Sequence, residues 1–463
     1  MIRFSQFCAE VRPMLRLAVP IVIAEVGWII MSLVDLAMIG RVGPDAIAAV
    51  SIGSAIFHVF AIVAEGLFLG LDTLVSQAYG GGRLDDCHRS MFAGVHFSLP
   101  FSLLLIVMVW ATVPLVPLVG IGPAVSEQVG HFLVAMSWGF PALLCFFVLR
   151  RYLQAIHLVK IIPFALISAN LVNLLGNYVL IYGKWGLPAM GAQGSGLSTS
   201  IARYYMLAVL VAYLVWQNRK QHFHLGRFAW GIERRLISTM VRLGLPAAGQ
   251  IALEVGVFSA STLIAGRLGA IVVSGHQIAL SMASFTFMAT VGLSSATAVR
   301  VGNAVGRNDA DGANAAGWTG VALSAVFMLT AAFVFWTIPE YLVAGFTNDP
   351  NVAAVGIALL SIAAVFQFFD GLQVTVIGAL RGSGDTRTPM LINILGWWMF
   401  GLPLGTYLCF SRGWGARGIW TGLCAGLILI GTLLAVAWRS RVRRLREQAV
   451  QVPTVLSYES LNP

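Results

Sequence analysis

The stretch "LRLAVPIVIAEVGWIIMSLVDLAMIGRVG" (residues 15–43) decides the fold, because it is an apolar run of membrane-spanning length and also the first copy of a repeat. A second copy, "VRLGLPAAGQIALEVGVFSASTLIAGRLG", occupies residues 241–269 and aligns without a gap. The offset of 226 residues pairs Pro20 with Pro246, and it continues to pair Gly and Pro residues further along the chain. Self-similarity at a fixed spacing indicates that two copies of one structural unit make up the protein.

The composition is typical of a membrane protein. Of the 463 residues, 58% are hydrophobic and 10% are charged, whereas about a quarter of the residues of soluble domains are charged. Apolar runs of about 20 residues, enough to cross roughly 30 Å of hydrocarbon, recur along the whole chain. We place about twelve such spans, at 14–39, 46–76, 91–117, 125–150, 160–183, 192–216, 240–266, 272–300, 314–339, 353–380, 388–411 and 415–438.

The repeat predicts how these spans are organised. An even number of helices in each copy gives both copies the same orientation, so we expect an all-α membrane protein with about twelve transmembrane helices in two six-helix lobes. The predicted divisions are an N-terminal lobe at 1–216, a cytoplasmic linker at 217–239, a C-terminal lobe at 240–438 and a basic cytoplasmic tail at 439–463. Paired lobes favour a transporter, because they can alternate the exposure of a central site.

The net charge of +10 reflects membrane topology. Most of the 29 Lys and Arg residues lie in the tails and in the even-numbered gaps between spans, and we count Arg150 and Arg151, at the end of the fourth span, among these gap residues. The odd-numbered gaps hold only Arg41, Lys184, Arg267, Arg412 and Arg417. This positive-inside pattern predicts a multi-pass protein of a cytoplasmic membrane, with both termini in the cytoplasm and in contact with membrane lipid. We expect no nucleic-acid partner, and no cleavable signal peptide because the first apolar run is too long.

Several acidic residues fall inside the predicted spans, where an acid costs about 2.5–3.5 kcal/mol to insert. They are Glu25, Asp35, Glu65, Asp72, Glu254 and Asp370. The residues opposite Asp35, Glu254 and Asp370 in the other repeat copy are Ser, Trp and Leu. Because the scaffold is duplicated and these three acids are not, we interpret them as functional groups.

The other three acids are less informative. Glu65 and Asp72 are seven residues apart and therefore share a helix face, and a structural role is the simpler interpretation of this pair. Glu25 lies ten residues before Asp35 in the same span. Its role stays open between a relay, a cavity-lining charge and a paired structural acid.

Further polar residues can join Asp35. In "NLVNLLGNYVLIYG", Asn173 and Asn177 are four residues apart and lie on one face of the fifth span, and Thr199 starts the sixth. One carboxylate, two amides and a hydroxyl form an oxygen-rich cluster that suits a hard monovalent cation or an exchangeable proton. The alternative is interhelical contact alone, worth about 0.6 kcal/mol per hydrogen bond.

The surroundings of Asp370 are aromatic. Phe366 and Phe369 are candidate cavity residues, since an aromatic cavity with a carboxylate suits lipophilic cations.

The sequence lacks the motifs that identify several other classes of protein. No G-x-x-x-x-G-K-[ST] sequence is present, and "GAQGSG" (191–196) has no βαβ context, so neither ATP-driven transport nor dinucleotide binding is indicated. The five cysteines are scattered without a C-x-x-C pair, which favours neither a disulfide framework nor a zinc site. A membrane-embedded enzyme would need a D-x-x-x-D acid cluster or an H-E-x-x-H motif, and neither occurs.

At the level of motifs the sequence resembles the multidrug and toxic compound extrusion (MATE) transporters, and among them the bacterial NorM-like branch. The resemblance covers about residues 10 to 440. It is carried by "VDLAMIGRVG", "QAYGGGR" (77–83), "NLVNLLGNYVLIYG" with "GAQGSGLST", "LGLPAAGQIALEVGVFS" and "FDGLQVTVIGALRGSGDTRTPM". Together these motifs are specific, although no single one is.

The resemblance implies a V-shaped pair of lobes that exports cationic and amphipathic drugs in exchange for Na⁺ or H⁺. It assigns Asp35 to the first-lobe acid. Asn173, Asn177 and Thr199 match its polar neighbours. Glu254 and Asp370 match a second-lobe cation site, and the resemblance makes them the candidate ligands for Na⁺. The chain departs from some members at Phe366, which has no hydroxyl where they carry an aromatic hydroxyl.

The sequence therefore predicts a cation-coupled multidrug antiporter that acts as a monomer, uses no cofactor apart from its coupling ion, and is not an enzyme. Proton coupling is favoured over sodium coupling, because Phe366 cannot donate an oxygen. The alternatives are a flippase for a lipid-linked saccharide with the same fold, a membrane-embedded enzyme, and a channel, which the two-lobe repeat disfavours.

Overall fold

The computed structural model describes residues 4–221, 223, 225–228 and 231–451, and within them the chain is helical without any strand. The helices are α1 (Phe4–Ile39), α2 (Pro44–Phe68), α3 (Gly70–Gly80), α4 (Leu84–Thr112), α5 (Pro123–Ser137), α6 (Phe140–Ala155), α7 (Ile161–Tyr182), α8 (Gly191–Gln221), α9 (Arg234–Gly266), α10 (Ala270–Gly306), α11 (Ala310–Thr337), α12 (Pro339–Ala344), α13 (Pro350–Gly382), α14 (Arg387–Asn393), α15 (Leu402–Phe410) and α16 (Ala416–Gln451). A π-helical stretch, Ile394–Gly401, joins α14 to α15.

The number of membrane spans agrees with the sequence. Within the described residues, 11 helical segments are long and apolar enough to cross a membrane, and the bent pair α5–α6 makes a twelfth. Large apolar side chains on these helices, such as Leu103 and Phe333, face outward, as expected where acyl chains replace water. The predicted all-α membrane fold with about twelve spans is confirmed.

The fourth span is broken rather than straight. Its halves α5 and α6 meet at an angle of 46°, which releases backbone carbonyls that must find other donors in the membrane. Helix α8 supplies them: Ser200 Oγ donates to the Ala135 carbonyl at 2.8 Å, and Tyr204 Oη donates to the Trp138 carbonyl at 3.1 Å. The bend is therefore held by side chains of the sixth span.

The chain forms two compact units whose boundaries cut through helices. One unit contains the described parts of Met1–Val22, Ser76–Gly82 and Gly249–Pro463, and the other contains Ile23–Val75 and Arg83–Ala248. Helices α1 and α9, which the repeat makes equivalent, each contribute their first part to one unit and their second part to the other. The predicted lobe divisions at 216 and 240 stay predictions. Parts of the predicted linker (222, 224, 229 and 230) and tail (452–463) lie outside the described residues.

Glycines allow close helix contacts at equivalent places in the two units. A Cβ on Gly66 would overlap the backbone of Ala248, and a Cβ on Gly292 would overlap Val22. Both members of the first pair lie in one unit and both members of the second lie in the other. Since each residue of one pair is 226 positions from its counterpart, the helix packing follows the sequence repeat.

Candidate functional site

The residues predicted around Asp35 meet in one cluster. Asn177 Nδ2 donates to Asp35 Oδ1 at 2.6 Å, and Thr199 Oγ1 lies 3.1 Å from Asp35 Oδ2. Asn173 completes the ring, because its Oδ1 accepts from Asn177 at 3.2 Å and its Nδ2 donates to Thr199 Oγ1 at 3.4 Å. Helical spacing on α7 aligns the two asparagines, while α1 and α8 supply the carboxylate and the hydroxyl.

This cluster holds a carboxylate with neutral partners. Asn173 and Asn177 are fully buried and Thr199 nearly so, while Asp35 is partly buried. Asn177 Oδ1 has no hydrogen-bond partner in the described part of the chain, which leaves an oxygen beside the carboxylate for a cation. The arrangement can accept a proton, a monovalent cation or the charged group of a substrate.

Arg203 brings a positive charge to the same region. It lies one turn after Thr199 on α8, and it interacts electrostatically with Asp35. Its guanidinium lies over the Phe57 ring at 4.4 Å from the centroid, and Nη1 donates to the Met136 carbonyl at 3.4 Å. Met136 belongs to the end of α5. The turn of α8 that carries Thr199, a partner of Asp35, therefore also contacts the bend in the fourth span through Arg203.

The second acidic site lies in the other unit, on α9 and α13. Both oxygens of Glu254 accept hydrogen bonds from amides: Gln250 Nε2 lies 2.8 Å from Oε2, and Gln373 Nε2 lies 2.9 Å from Oε1. Asp370, one turn before Gln373 on α13, is buried and lies close enough for electrostatic repulsion from Glu254. The structure thus brings Glu254 and Asp370 together, as the sequence predicted, and adds two glutamines that it did not.

Phe366 and Phe369 have different surroundings. Phe366 is buried among the rings of Phe258, Trp397 and Trp420, with centroids 6.1–6.3 Å away. Phe369 is partly buried and packs edge-on against Phe368 at 5.1 Å. Phe366 therefore supports the π-helical stretch, which carries Trp397, and its role as a cavity residue stays a prediction.

The ligand set for Na⁺ at Glu254 and Asp370 is limited. Among the described residues, no cluster of three or more His, Cys, Asp or Glu side chains is placed to hold a metal ion. Two carboxylates alone give few of the oxygens that a hard cation requires. Gln373 Oε1, which is buried without a partner in the described part of the chain, is one further oxygen at this site.

Glu25 is a paired acid. It forms a buried ion pair with Arg150 of α6, and Arg150 also interacts electrostatically with Glu65 and Asp72. The neighbouring Arg151 lies 3.1 Å from Glu65 and 3.5 Å from Asp72. We call these five residues the buried charge cluster.

The sequence interpretation missed half of this cluster. It placed Arg150 and Arg151 in a gap after the fourth span, whereas the structure buries both inside α6. The sequence did contain a sign of these arginines, namely several acids without assigned partners in the first two spans. Buried acids are stabilised by buried cations, so such acids predict buried basic residues nearby. The sequence interpretation placed Glu65 and Asp72 on one face of one helix, whereas the structure ends α2 at Phe68 and begins α3 at Gly70. Both acids nevertheless contact Arg151.

Comparison with known proteins identifies the family. The MatE family model matches residues 20–179 and 246–407, and the two matches begin 226 residues apart, as the repeat does. A probable multidrug resistance protein NorM of Xanthomonas campestris pv. campestris is 36% identical over 443 residues, covering 95% of this chain and 96% of its own. The protein of the same name from Mesorhizobium japonicum is 34% identical over 442 residues, with 94% of each chain covered.

Solved structures agree on the fold. A crystal structure of MATE in the bent conformation superposes with a TM-score of 0.88 at 16% identity, covering 96% of this chain and 98% of its own. The eukaryotic MATE transporter AtDTX14 gives a TM-score of 0.83 at 21% identity, covering 96% and 100%. The resemblance found in the sequence motifs is confirmed: the chain belongs to the MatE family.

Proposed function

We propose that the chain is a cation-coupled antiporter that exports organic cations and amphipathic drugs across a bacterial cytoplasmic membrane by alternating access. The observation that carries the proposal is the Asp35 cluster. A carboxylate held by Asn177 and Thr199 inside a membrane span changes its hydrogen bonds whenever a cation neutralises it. The names of the NorM relatives, which describe multidrug resistance, support the drug as the exported species.

The cycle follows from competition for carboxylates. With Asp35, or Glu254 and Asp370, ionised, a cationic drug is held by charge and by aromatic contact. An external cation then neutralises the carboxylate and the drug leaves outward. The lobes next return to the inward-facing state to reload. Because the carboxylates serve both ligands, drug and coupling ion exclude each other and exchange becomes obligatory.

Proton coupling is the version we favour. Phe366 is buried among aromatic rings and offers no oxygen, so a Na⁺ site at Glu254 and Asp370 would depend on amide oxygens. A proton needs only a carboxylate. The chain would then act as a monomer without a cofactor, and with both termini in the cytoplasm.

A flippase for a lipid-linked saccharide is the second candidate within the same fold. Such a protein favours a strongly cationic cavity for the pyrophosphate group. The buried arginines of α6 are paired with acids instead, which counts against that function. An enzyme is disfavoured because, among the described residues, no group of three or more His, Cys, Asp or Glu side chains is placed to hold a catalytic metal ion.

Ethidium efflux from proteoliposomes tests the proposal. Purified protein is reconstituted, and a pH gradient or a Na⁺ gradient is imposed one at a time. We expect efflux with the pH gradient alone, and its loss in Asp35→Asn. Asp45→Asn, an exposed acid at the start of α2, is the matched control and should retain efflux.

The outcomes separate the candidates. Efflux that requires Na⁺ would refute proton coupling while keeping the antiporter. Wild-type efflux by Asp35→Asn would refute the role of Asp35. No efflux under either gradient would favour the flippase.

A further inference from the structure

The last turns of α16 are fixed against one end of their own unit. Arg441 Nη2 donates to the Ser383 carbonyl at 2.7 Å, and its Nε lies 3.2 Å from Ser383 Oγ. Arg446 Nε donates to Asp311 Oδ1 at 2.9 Å. The C-terminal part of α16 is therefore anchored to the turn after α13 and to the start of α11.

An apolar face of the same helix completes the anchoring. Trp438, Val442 and Leu445 are buried, and their spacing places them on one side of the helix. The Trp438 ring packs so closely on Gly317 that a Cβ there would meet it. The opposite side of these turns is consequently held outward in a defined orientation.

The outward side is basic. Four arginines at this end of the unit are exposed and form no ion pair within the described residues: Arg307, Arg387, Arg443 and Arg444. We call them the basic face. Three segments far apart in sequence contribute to it, so its charge is a product of the fold and not of one basic run.

Three acids near the basic face accept hydrogen bonds or form an ion pair. Asp309 Oδ1 accepts from the Gly312 backbone N–H at 2.7 Å, and Asp311 pairs with Arg446. Asp385 Oδ2 lies 2.8 Å from Thr388 Oγ1. Asp309 and Asp385 keep their negative charge in these hydrogen bonds, and Glu447 is a further exposed acid in the same turns of α16. The four arginines of the basic face, together with Arg439 and Arg441, still outnumber these three acids, so this end of the unit carries a net positive charge.

The depth of the basic face places it at lipid headgroups. The apolar part of α16, residues 416–437, is roughly 33 Å long at 1.5 Å per residue, about the thickness of the hydrocarbon core. The next residue is Trp438, and Arg439 lies over the Trp318 ring at 5.5 Å. Trp and Arg at a span end are typical of the membrane–water interface.

We propose that the basic face binds the headgroups of anionic phospholipids in the adjoining leaflet. Juxtamembrane arginines are attracted to acidic headgroups, and each contributes about fivefold to affinity. Arginine also matches phosphate in a two-bond geometry. A lipid partner fits this surface because its charges lie at headgroup level, just beyond the apolar part of α16.

The test compares two double variants of the full-length chain. Arg443→Gln with Arg444→Gln removes two charges from the basic face. Arg412→Gln with Arg417→Gln removes two exposed charges in the segment before and at the start of α16, at its other end, and is the matched control. All four side chains are exposed, so both variants should fold, and size-exclusion chromatography checks this.

Native mass spectrometry measures how much phosphatidylglycerol and how much phosphatidylcholine the purified protein retains, and the ratio of the two gives its lipid preference. We expect the basic-face variant to lose roughly 25-fold in preference for phosphatidylglycerol, and the control to lose less than about twofold. High salt should weaken wild-type binding, while inorganic phosphate at the same ionic strength should not compete further.

Two results would overturn the proposal. Equal losses in both variants would show that net charge, and not this surface, governs lipid binding. An unchanged preference in the basic-face variant would show that anionic lipid does not bind there. Because drug efflux is not part of the readout, failure of the antiporter proposal would leave this test unaffected.

Discussion

Replacing Arg150 is predicted to destabilise the protein far more than neutralising its partner Glu25. Arg150 is 1% exposed and the Glu25 side chain 9%. Arg150→Met would leave Glu25 without its partner, and it would leave the three acids of the buried charge cluster with Arg151 alone. An uncompensated buried charge costs about 3–5 kcal/mol, and we expect a loss of stability of that size.

Glu25→Gln leaves the buried charge cluster with equal numbers of positive and negative charges. In Glu25→Gln two arginines face two acids, and the amide oxygen can still accept from Arg150. The expected loss is about 1–2 kcal/mol, the range of one weakened hydrogen bond to a charged group. Combining Arg150→Met with Glu25→Leu removes both charges and should recover most of the stability, because apolar replacement of a whole buried pair is often neutral.

Thermal unfolding in detergent ranks the stability of these variants, with the fraction of protein that stays monodisperse measured at each temperature. Arg89→Met is the matched control, because its pair with Glu233 is about half exposed and should cost less than about 1 kcal/mol. The reasoning fails if Glu25→Gln is as destabilising as Arg150→Met, or if the exposed control is as damaging as either.

Three further variants and one control test the two acidic sites and the helix packing. Thr199→Val removes one donor from the first-lobe carboxylate and should slow gradient-driven ethidium efflux about tenfold, the effect of losing one hydrogen bond to a charged group. Gln373→Leu should also slow efflux, because it removes an amide from the second acidic site. Gln367→Leu, on the same helix and equally buried, loses a bond to a neutral threonine and should leave the rate unchanged. Gly378→Val would overlap a carbonyl of α10 and should cost about 1–3 kcal/mol in thermal stability.

Much of the first site was predictable because it depends on local geometry. Residues four apart on a helix share a face, so the spacing of Asn173 and Asn177 placed two amides together without a structure. Asp35 stood out because an acid in an apolar span is costly. Their meeting with Thr199 required only that spans one, five and six lie in one bundle, which the repeat implied.

The second site was predicted in part, for a physical reason. Glutamine carries no charge, so its insertion into a membrane span costs less than that of an acid. The cost of insertion therefore did not single out the glutamines as candidate functional residues. Gln250 is one turn before Glu254, and Gln373 is three residues after Asp370, so the spacing that identified the asparagines was present here too. Arg150 was missed for another reason, because a boundary error of a few residues turned a buried cation into a loop residue.

The two halves of the molecule share their packing and differ in their chemistry. The contact of Gly66 with Ala248 and that of Gly292 with Val22 are equivalent under the repeat, and each fixes a helix crossing through the absence of a side chain. The acids do not follow the repeat: Ser261, the counterpart of Asp35, donates a hydrogen bond to the Val257 carbonyl of its own helix. The two units therefore share a scaffold and carry unlike groups: Asn177 and Thr199 hold the Asp35 carboxylate, whereas Gln250 and Gln373 hold the Glu254 carboxylate. Under the proposed antiport, in which a carboxylate binds drug and coupling cation in turn, this difference predicts that the two sites differ in their affinity for the same competing ligands.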